Sequence, residues 1–161
     1  MIGVSGVVGW ATGGTALLTV GDEVVTMKLN TAVVIIALAL AFLARRRRLV
    51  IGLRIGSGVV SAVTLAQYVG GVDLGIDELV VADPTVTGVP GRMSATTALC
   101  VVLLVAAAWI GSRGRGRIAE GFGAAVTLVS WLALLGHLFG AEVLYAIGPF
   151  SSVALPTAAA L

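Results

Sequence analysis

Long apolar runs bounded by arginines constrain this chain more than any other feature of its sequence. The run at 29–44 carries no charge and is followed at once by four arginines at 45–48. Crossing the ~30 Å hydrocarbon layer of a bilayer takes about 20 helical residues, and several further runs approach that length. Only 11% of the residues are charged, against roughly 25% in soluble domains, so lipid is the expected solvent.

A six-residue pattern, which we call the start motif, opens three of these runs. Met-Lys-Leu-Asn-Thr-Ala at 27–32 is nearly copied by Met-Ser-Ala-Thr-Thr-Ala at 93–98 and more loosely by Val-Ala-Leu-Pro-Thr-Ala at 153–158. Before each copy, an aromatic residue or histidine stands three positions ahead of a glycine: Trp10, Tyr68 and His137. The sequence therefore predicts three repeated two-helix units, each leaving the cytoplasm, turning in an outer loop and returning.

We predict an all-α, polytopic integral membrane helical bundle that forms a single transmembrane domain over 1–161. It has five full spans and a partial sixth. The spans are predicted at 1–20, 29–44, 49–70, 93–111, 118–139 and, for the partial one, 153–161. Nine residues cannot cross a bilayer, so this last segment either continues in a longer native chain or lies at the interface.

The distribution of charge predicts the orientation of the bundle. Seven of the eight acidic residues fall in the loops that lack the arginine clusters. Because basic residues favour the cytoplasmic side, we predict a multi-pass protein of the bacterial inner (plasma) membrane with a cytoplasmic N-terminus. The arginines expected to set this topology and to meet lipid headgroups are Arg45, Arg46, Arg47, Arg48, Arg113, Arg115 and Arg117.

The outer side holds the candidate ligand or interface positions. They are Trp10, Asn30, Tyr68, Asp73, Asp77, Thr97, His137 and Glu142. In one interpretation these residues cap helix starts and anchor aromatic side chains at the interface. In the other, three equivalent helix starts converge on the outer side and frame a ligand pocket.

The titratable residues give little indication of a haem, metal or disulfide site. His137 is the only histidine, so the chain lacks the paired histidines of b-type haem sites, and an interfacial aromatic substitute is favoured over a pH sensor. The outer acids match no EF-hand spacing, and Cys100, the only cysteine, permits no intrachain disulfide. We predict no cofactor, no metal, no nucleic-acid partner and no catalysis by this chain.

Three segments, at 27–32, 71–79 and 90–99, resemble the multi-span N-terminal membrane region of bacterial signalling proteins. In that family the region precedes histidine-kinase, diguanylate-cyclase or PP2C-type phosphatase domains. The resemblance implies a truncated sensory input module. Its expected partners are the lipid bilayer and either a second copy of the chain in a homodimer or a signalling output domain. A small transporter or channel subunit and a structural membrane partner protein stay open as alternatives, although no span carries the mid-depth acid that ion-coupled transport normally needs.

Overall fold

The computed structural model describes residues 28–75, 91–141 and 153–161, together with Val8. These ranges form helices without any strand, which confirms the all-α prediction for the part of the chain described. The five helices are α1 (Leu29–Leu43), α2 (Arg47–Gly70), α3 (Ala95–Gly111), α4 (Gly116–Phe139) and α5 (Leu155–Ala160). The predicted span at 1–20 lies outside the described residues, apart from Val8.

Two of these helices, α2 and α4, are long and apolar enough to cross a membrane, at 24 residues each. The apolar helices α1 and α3 are shorter, with 15 and 17 residues. At 1.5 Å per residue they rise only about 22–26 Å, less than the ~30 Å hydrocarbon layer. Length and composition therefore favour a membrane location through α2 and α4 above all.

Each described helix that follows a start motif begins at the third residue of the motif. The second residue, Lys28, Ser94 or Ala154, is the N-cap and is extended, with ψ of 149°, 145° and 143°. Its carbonyl accepts a hydrogen bond from the N–H of the motif's final alanine, with N···O distances of 3.1, 2.9 and 3.0 Å. The start motif thus encodes one local backbone geometry in three places.

Left-handed glycines end α2 and α4 in the same way. Gly71 and Gly140 have φ of 61° and 63°, a region that favours glycine because a Cβ is strained there. The N–H of the residue after each glycine donates back to the carbonyl five positions earlier, from Val72 to Gln67 at 3.3 Å and from Ala141 to Gly136 at 2.8 Å. This hydrogen-bond pattern satisfies carbonyls that the helix end would otherwise leave unpaired.

The inner face of α2 is polar, and the large apolar side chains point outwards. The buried residues of α2 are Ser57, Ser61, Thr64 and Gln67, which we call the polar seam. At the same spacing, the buried residues of α4 are Val126, Ser130, Ala133 and Gly136. Large apolar side chains of both helices are exposed instead, among them Val59, Val69, Leu128, Trp131 and Leu138. Small and polar residues at helix contacts with apolar residues outside are typical of bundles that face lipid.

The helices pack in chain order, and α3 lies between α2 and α4. Val34 and Leu38 of α1 meet Met93, Ala98 and Val101 in an apolar cluster at the first half of α3. In a second apolar cluster, Ala158 of α5 and Val153 just before it pack with Ala133 of α4, and α5 also touches α1. The start motifs therefore supply much of the buried core.

A larger side chain in the polar seam should separate α2 from its neighbours. Ser61 is 0% exposed, so Ser61→Leu is expected to destabilise the bundle by about 1–3 kcal/mol through overpacking. Ala62→Leu adds the same kind of bulk at the adjacent exposed position and should change stability little. Unfolding in detergent micelles, followed by circular dichroism, measures both variants, and equal midpoints would contradict the inward placement of the seam.

Candidate functional site

Two helix ends are tied to the next start motif by the same kind of hydrogen bond. The Tyr68 hydroxyl, near the end of α2, donates to the Met93 carbonyl at 3.2 Å. His137, near the end of α4, lies with Nε2 2.7 Å from the Val153 carbonyl. Since a carbonyl oxygen only accepts, Nε2 carries the hydrogen and donates it. Met93 and Val153 are the first residues of their start motifs, so both contacts join the end of one helix to the beginning of the next described one.

A buried arginine extends the first of these contacts to the surface. Arg92 Nη2 lies 3.0 Å from Asp73 Oδ1, with the arginine side chain 7% exposed and the aspartate side chain 67% exposed. The same carboxylate oxygen accepts the Gly75 N–H at 2.9 Å. The guanidinium also lies over the Tyr68 ring, 5.5 Å from its centroid. Because water screens Asp73, the ion pair contributes only about 0–1 kcal/mol to stability.

The threonines of the start motifs are buried within the first helical turn. Thr31, Thr97 and Thr157 are each buried, as is the alanine that follows each one. The interpretation that Thr97 caps a helix start is wrong, because the N-cap residue of α3 is Ser94, three positions earlier. At α3 the capping oxygen is Ser94 Oγ, which accepts the Thr97 N–H at 3.1 Å and lies 2.8 Å from Thr97 Oγ1.

The predicted outer positions that the structure describes all belong to one end of the bundle. Asn30 lies in the first turn of α1, half-buried, and Thr97 in the first turn of α3. Direct contacts connect Asp73 and Tyr68 through Arg92, while His137 makes its own contact with Val153. The remaining predicted positions, Trp10, Asp77 and Glu142, lie outside the described residues.

Arg92 and Met93 are the residues that sequence reasoning missed. The sequence held a signal for Arg92. Eight of the ten basic residues belong to the two arginine-bearing connections or, as Arg54, lie near one of them, and Lys28 and Arg92 are the other two. Both stand at a start motif. An arginine kept on the acidic side indicates a specific partner, and the structure shows that this partner is Asp73.

The predicted topology residues lie at the opposite end. Side chains of Arg45, Arg46, Arg47, Arg48, Arg113, Arg115 and Arg117 are exposed where α1 meets α2 and where α3 meets α4. The Arg113 guanidinium lies over the Trp109 ring, 5.3 Å from its centroid. The two ends of the bundle therefore differ in chemistry: one is cationic, and the other holds a linked set of hydrogen bonds.

The described residues bring together no group of three or more histidine, cysteine, aspartate or glutamate side chains that would hold a metal ion. Cys100 is buried in α3. No protein-family model, curated protein or solved structure matches this chain. The polar groups at the end opposite the arginines are the Tyr68 hydroxyl, the Arg92 guanidinium and the His137 imidazole.

Removing the His137 donor should loosen α5 from α4. His137→Phe keeps an aromatic ring but loses the bond to Val153, and amides in 155–161 are expected to exchange hydrogen about fivefold faster, the equivalent of one ordinary hydrogen bond. His137→Gln restores a side-chain N–H donor and is the matched control. Hydrogen exchange in detergent, read by mass spectrometry, measures both. Equal exchange in the two variants would show that the bond does not hold α5.

Proposed function

We propose that this chain is a multi-pass protein of a bacterial inner membrane, with its arginine-bearing connections and its N-terminus in the cytoplasm. The length of α2 and α4 and their exposed apolar side chains support a position in lipid. The clustering of exposed arginines at one end supports the orientation, because basic connections favour the cytoplasmic side.

We further propose that the bundle is built from three repeated two-helix units. The support is local: α1, α3 and α5 start at the same motif position, with the same N-cap conformation. Helices α2 and α4 end at left-handed glycines and bury residues at the same four register positions. Tyr68 and His137 occupy equivalent places and bond the same carbonyl of the following motif.

The function that the geometry supports best is signal input to a bacterial signalling protein, without catalysis by this chain. The observation that carries the proposal is the sequence of contacts from Asp73 through Arg92 and Tyr68 to Met93. It begins at an exposed carboxylate in an outer loop. It ends at a fully buried side chain, since Met93 is 0% exposed and packs against α1.

Such a path transmits a signal only if the stimulus binds two arrangements of the helices with different affinity. A ligand or a change in the outer environment that alters the Asp73–Arg92 pair changes how Tyr68 holds the Met93 carbonyl. Met93 precedes α3 and lies in the apolar cluster with Val34 and Leu38, so the α1–α3 contact is the element that shifts. The His137–Val153 bond carries a movement of α4 to α5.

Cysteine labelling in intact cells tests the orientation. In a Cys100→Ser background, Val72→Cys should react with a membrane-impermeant maleimide from outside, whereas Arg46→Cys should react only after permeabilisation. Both positions are exposed on the protein, so accessibility reports the side of the membrane. The cysteine-free variant is the control. Reversed labelling, or labelling of both positions from outside, would refute the proposed topology.

The signalling role is tested by reading the genomic frame beyond the codon for Leu161 and then assaying the output. We expect an in-frame or adjacent kinase, cyclase or phosphatase whose basal activity changes at least twofold with Asp73→Asn. Glu120→Gln removes an exposed acid far from the Asp73–Arg92 pair and should leave that activity unchanged. A stop codon with no neighbouring signalling gene would overturn the proposal.

One observation favours a small transporter or channel subunit as the second candidate. Within the part of the chain that the structure describes, the hydroxyls of Ser57, Ser61 and Ser130 are buried without a hydrogen-bond partner. Water or a polar solute passing between the helices would satisfy them. A second labelling experiment decides between the two roles. In the Cys100→Ser background, Ser57→Cys should react with a small cationic thiol reagent only if a water path reaches the polar seam.

A further inference from the structure

We propose that the seven arginines of the two connections form one binding surface for anionic phospholipid headgroups, which we call the arginine surface. It comprises Arg45, Arg46, Arg47, Arg48, Arg113, Arg115 and Arg117. The inference rests on the proposed membrane location and goes beyond it. The topology rule needs only positive charge on the cytoplasmic side, whereas a binding surface needs guanidinium groups placed together.

The packing of α2 against α3 brings the two connections to the same end. Tyr68, near the end of α2, bonds the residue just before α3, so these helices run antiparallel. Midway along the pair, Gly58 faces Val105, with 3.4 Å between its Cβ position and Cγ1. The start of α2, with Arg47 and Arg48, therefore lies at the end of α3, where Arg113 follows. Residues far apart in sequence become one cationic surface.

The described part of the chain does little to neutralise this surface. Among the described residues, none of the seven arginines forms a salt bridge, and the Arg113–Trp109 contact is the one ring interaction they make. Glu120, in the second turn of α4, is the one acid described near this end. Several exposed like charges held together attract anions, and the phosphate of a lipid is the anion that a bilayer presents at its surface.

The surroundings of the arginines favour lipid over a soluble phosphate compound. Phe42 and Leu43 are 66% and 79% exposed just before the first connection, and Leu49 and Ile118 are half exposed just after the connections. A lipid whose acyl chains pack against these side chains has its phosphate at the level of the arginines. All seven cations are arginine rather than lysine, and guanidinium binds phosphate oxygens through two parallel hydrogen bonds.

The test is lipid selectivity of the purified chain reconstituted in phosphatidylcholine vesicles. Spin-labelled phosphatidylglycerol and phosphatidylcholine report, by electron paramagnetic resonance, how much of each lipid the protein immobilises. We expect the wild type to prefer phosphatidylglycerol over phosphatidylcholine about fivefold or more, because each arginine near an anionic headgroup adds to the affinity for that lipid. Replacing Arg45–Arg48 by glutamine should abolish most of this preference, and replacing Arg113, Arg115 and Arg117 should reduce it.

Two controls separate a guanidinium surface from diffuse charge and from general damage. Arg54→Gln removes a half-buried arginine outside the surface and should leave the preference intact. A variant with lysine at all seven positions keeps the charge and should lower the preference for phosphatidylglycerol about twofold or more. This variant can still be measured if a glutamine variant fails to fold. A preference unchanged by lysine, or by both glutamine sets, would overturn the proposal.

The remaining outcomes distinguish this inference from the proposed membrane location. Immobilised lipid without preference for phosphatidylglycerol keeps the bundle in the bilayer and overturns the arginine surface alone. No immobilised lipid of either kind overturns both. Added inorganic pyrophosphate at millimolar concentration should leave the preference in place. Displacement of the lipid by pyrophosphate would show that the arginines take soluble phosphates, and would overturn the lipid assignment.

Discussion

Close packing of small and polar inner faces is the constraint on which the rest of this structure depends. Gly58 leaves room for Val105, and Gly111 for Ala119, each at 3.4 Å from the position of an added Cβ. With serine, threonine, alanine and glycine at the contacts, helix backbones approach closely and large apolar side chains are left outside. In water such an exterior would drive aggregation, whereas in lipid it costs nothing and dispersion and hydrogen bonds hold the helices together.

The polar seam also leaves hydrogen-bonding groups incompletely used. Thr64 Oγ1 donates to the Val60 carbonyl at 3.0 Å, as hydroxyls in membrane helices often do. Within the described residues, the hydroxyls of Ser57 and Ser61 in the seam have no such partner, and neither has that of Ser130 on α4. A buried unpartnered hydroxyl costs about 1–3 kcal/mol, so the seam is where a second arrangement of the helices, or entry of water, has most to gain. Both proposed functions draw on this property.

The two ends of the bundle differ in their polar groups. At one end, Asp73, Arg92 and Tyr68 connect exposed residues to the buried Met93. At the arginine end, the charges lie at the surface, and the residues that the structure describes there include one acid, Glu120. This division of charge suits the proposed signal-input module, which we expect lipid to hold at a fixed depth by its arginine end and which we expect to respond at the end that holds Asp73.

The sequence by itself determined the helices and their ends, because those signals are local. Apolar runs, the start motif and the glycines at 71 and 140 predicted each described helix to within two residues at either end. Only the tertiary structure decided which residues meet. Arg92 pairs with an aspartate 19 positions away, and Tyr68 reaches a carbonyl 25 positions away. Thr97, which the sequence suggested as a cap, is buried, and Ser94 caps the helix instead. Such contacts depend on how the helices rotate and pack against one another. When polar and apolar residues are distributed around the whole helix, the sequence does not predict which face is buried.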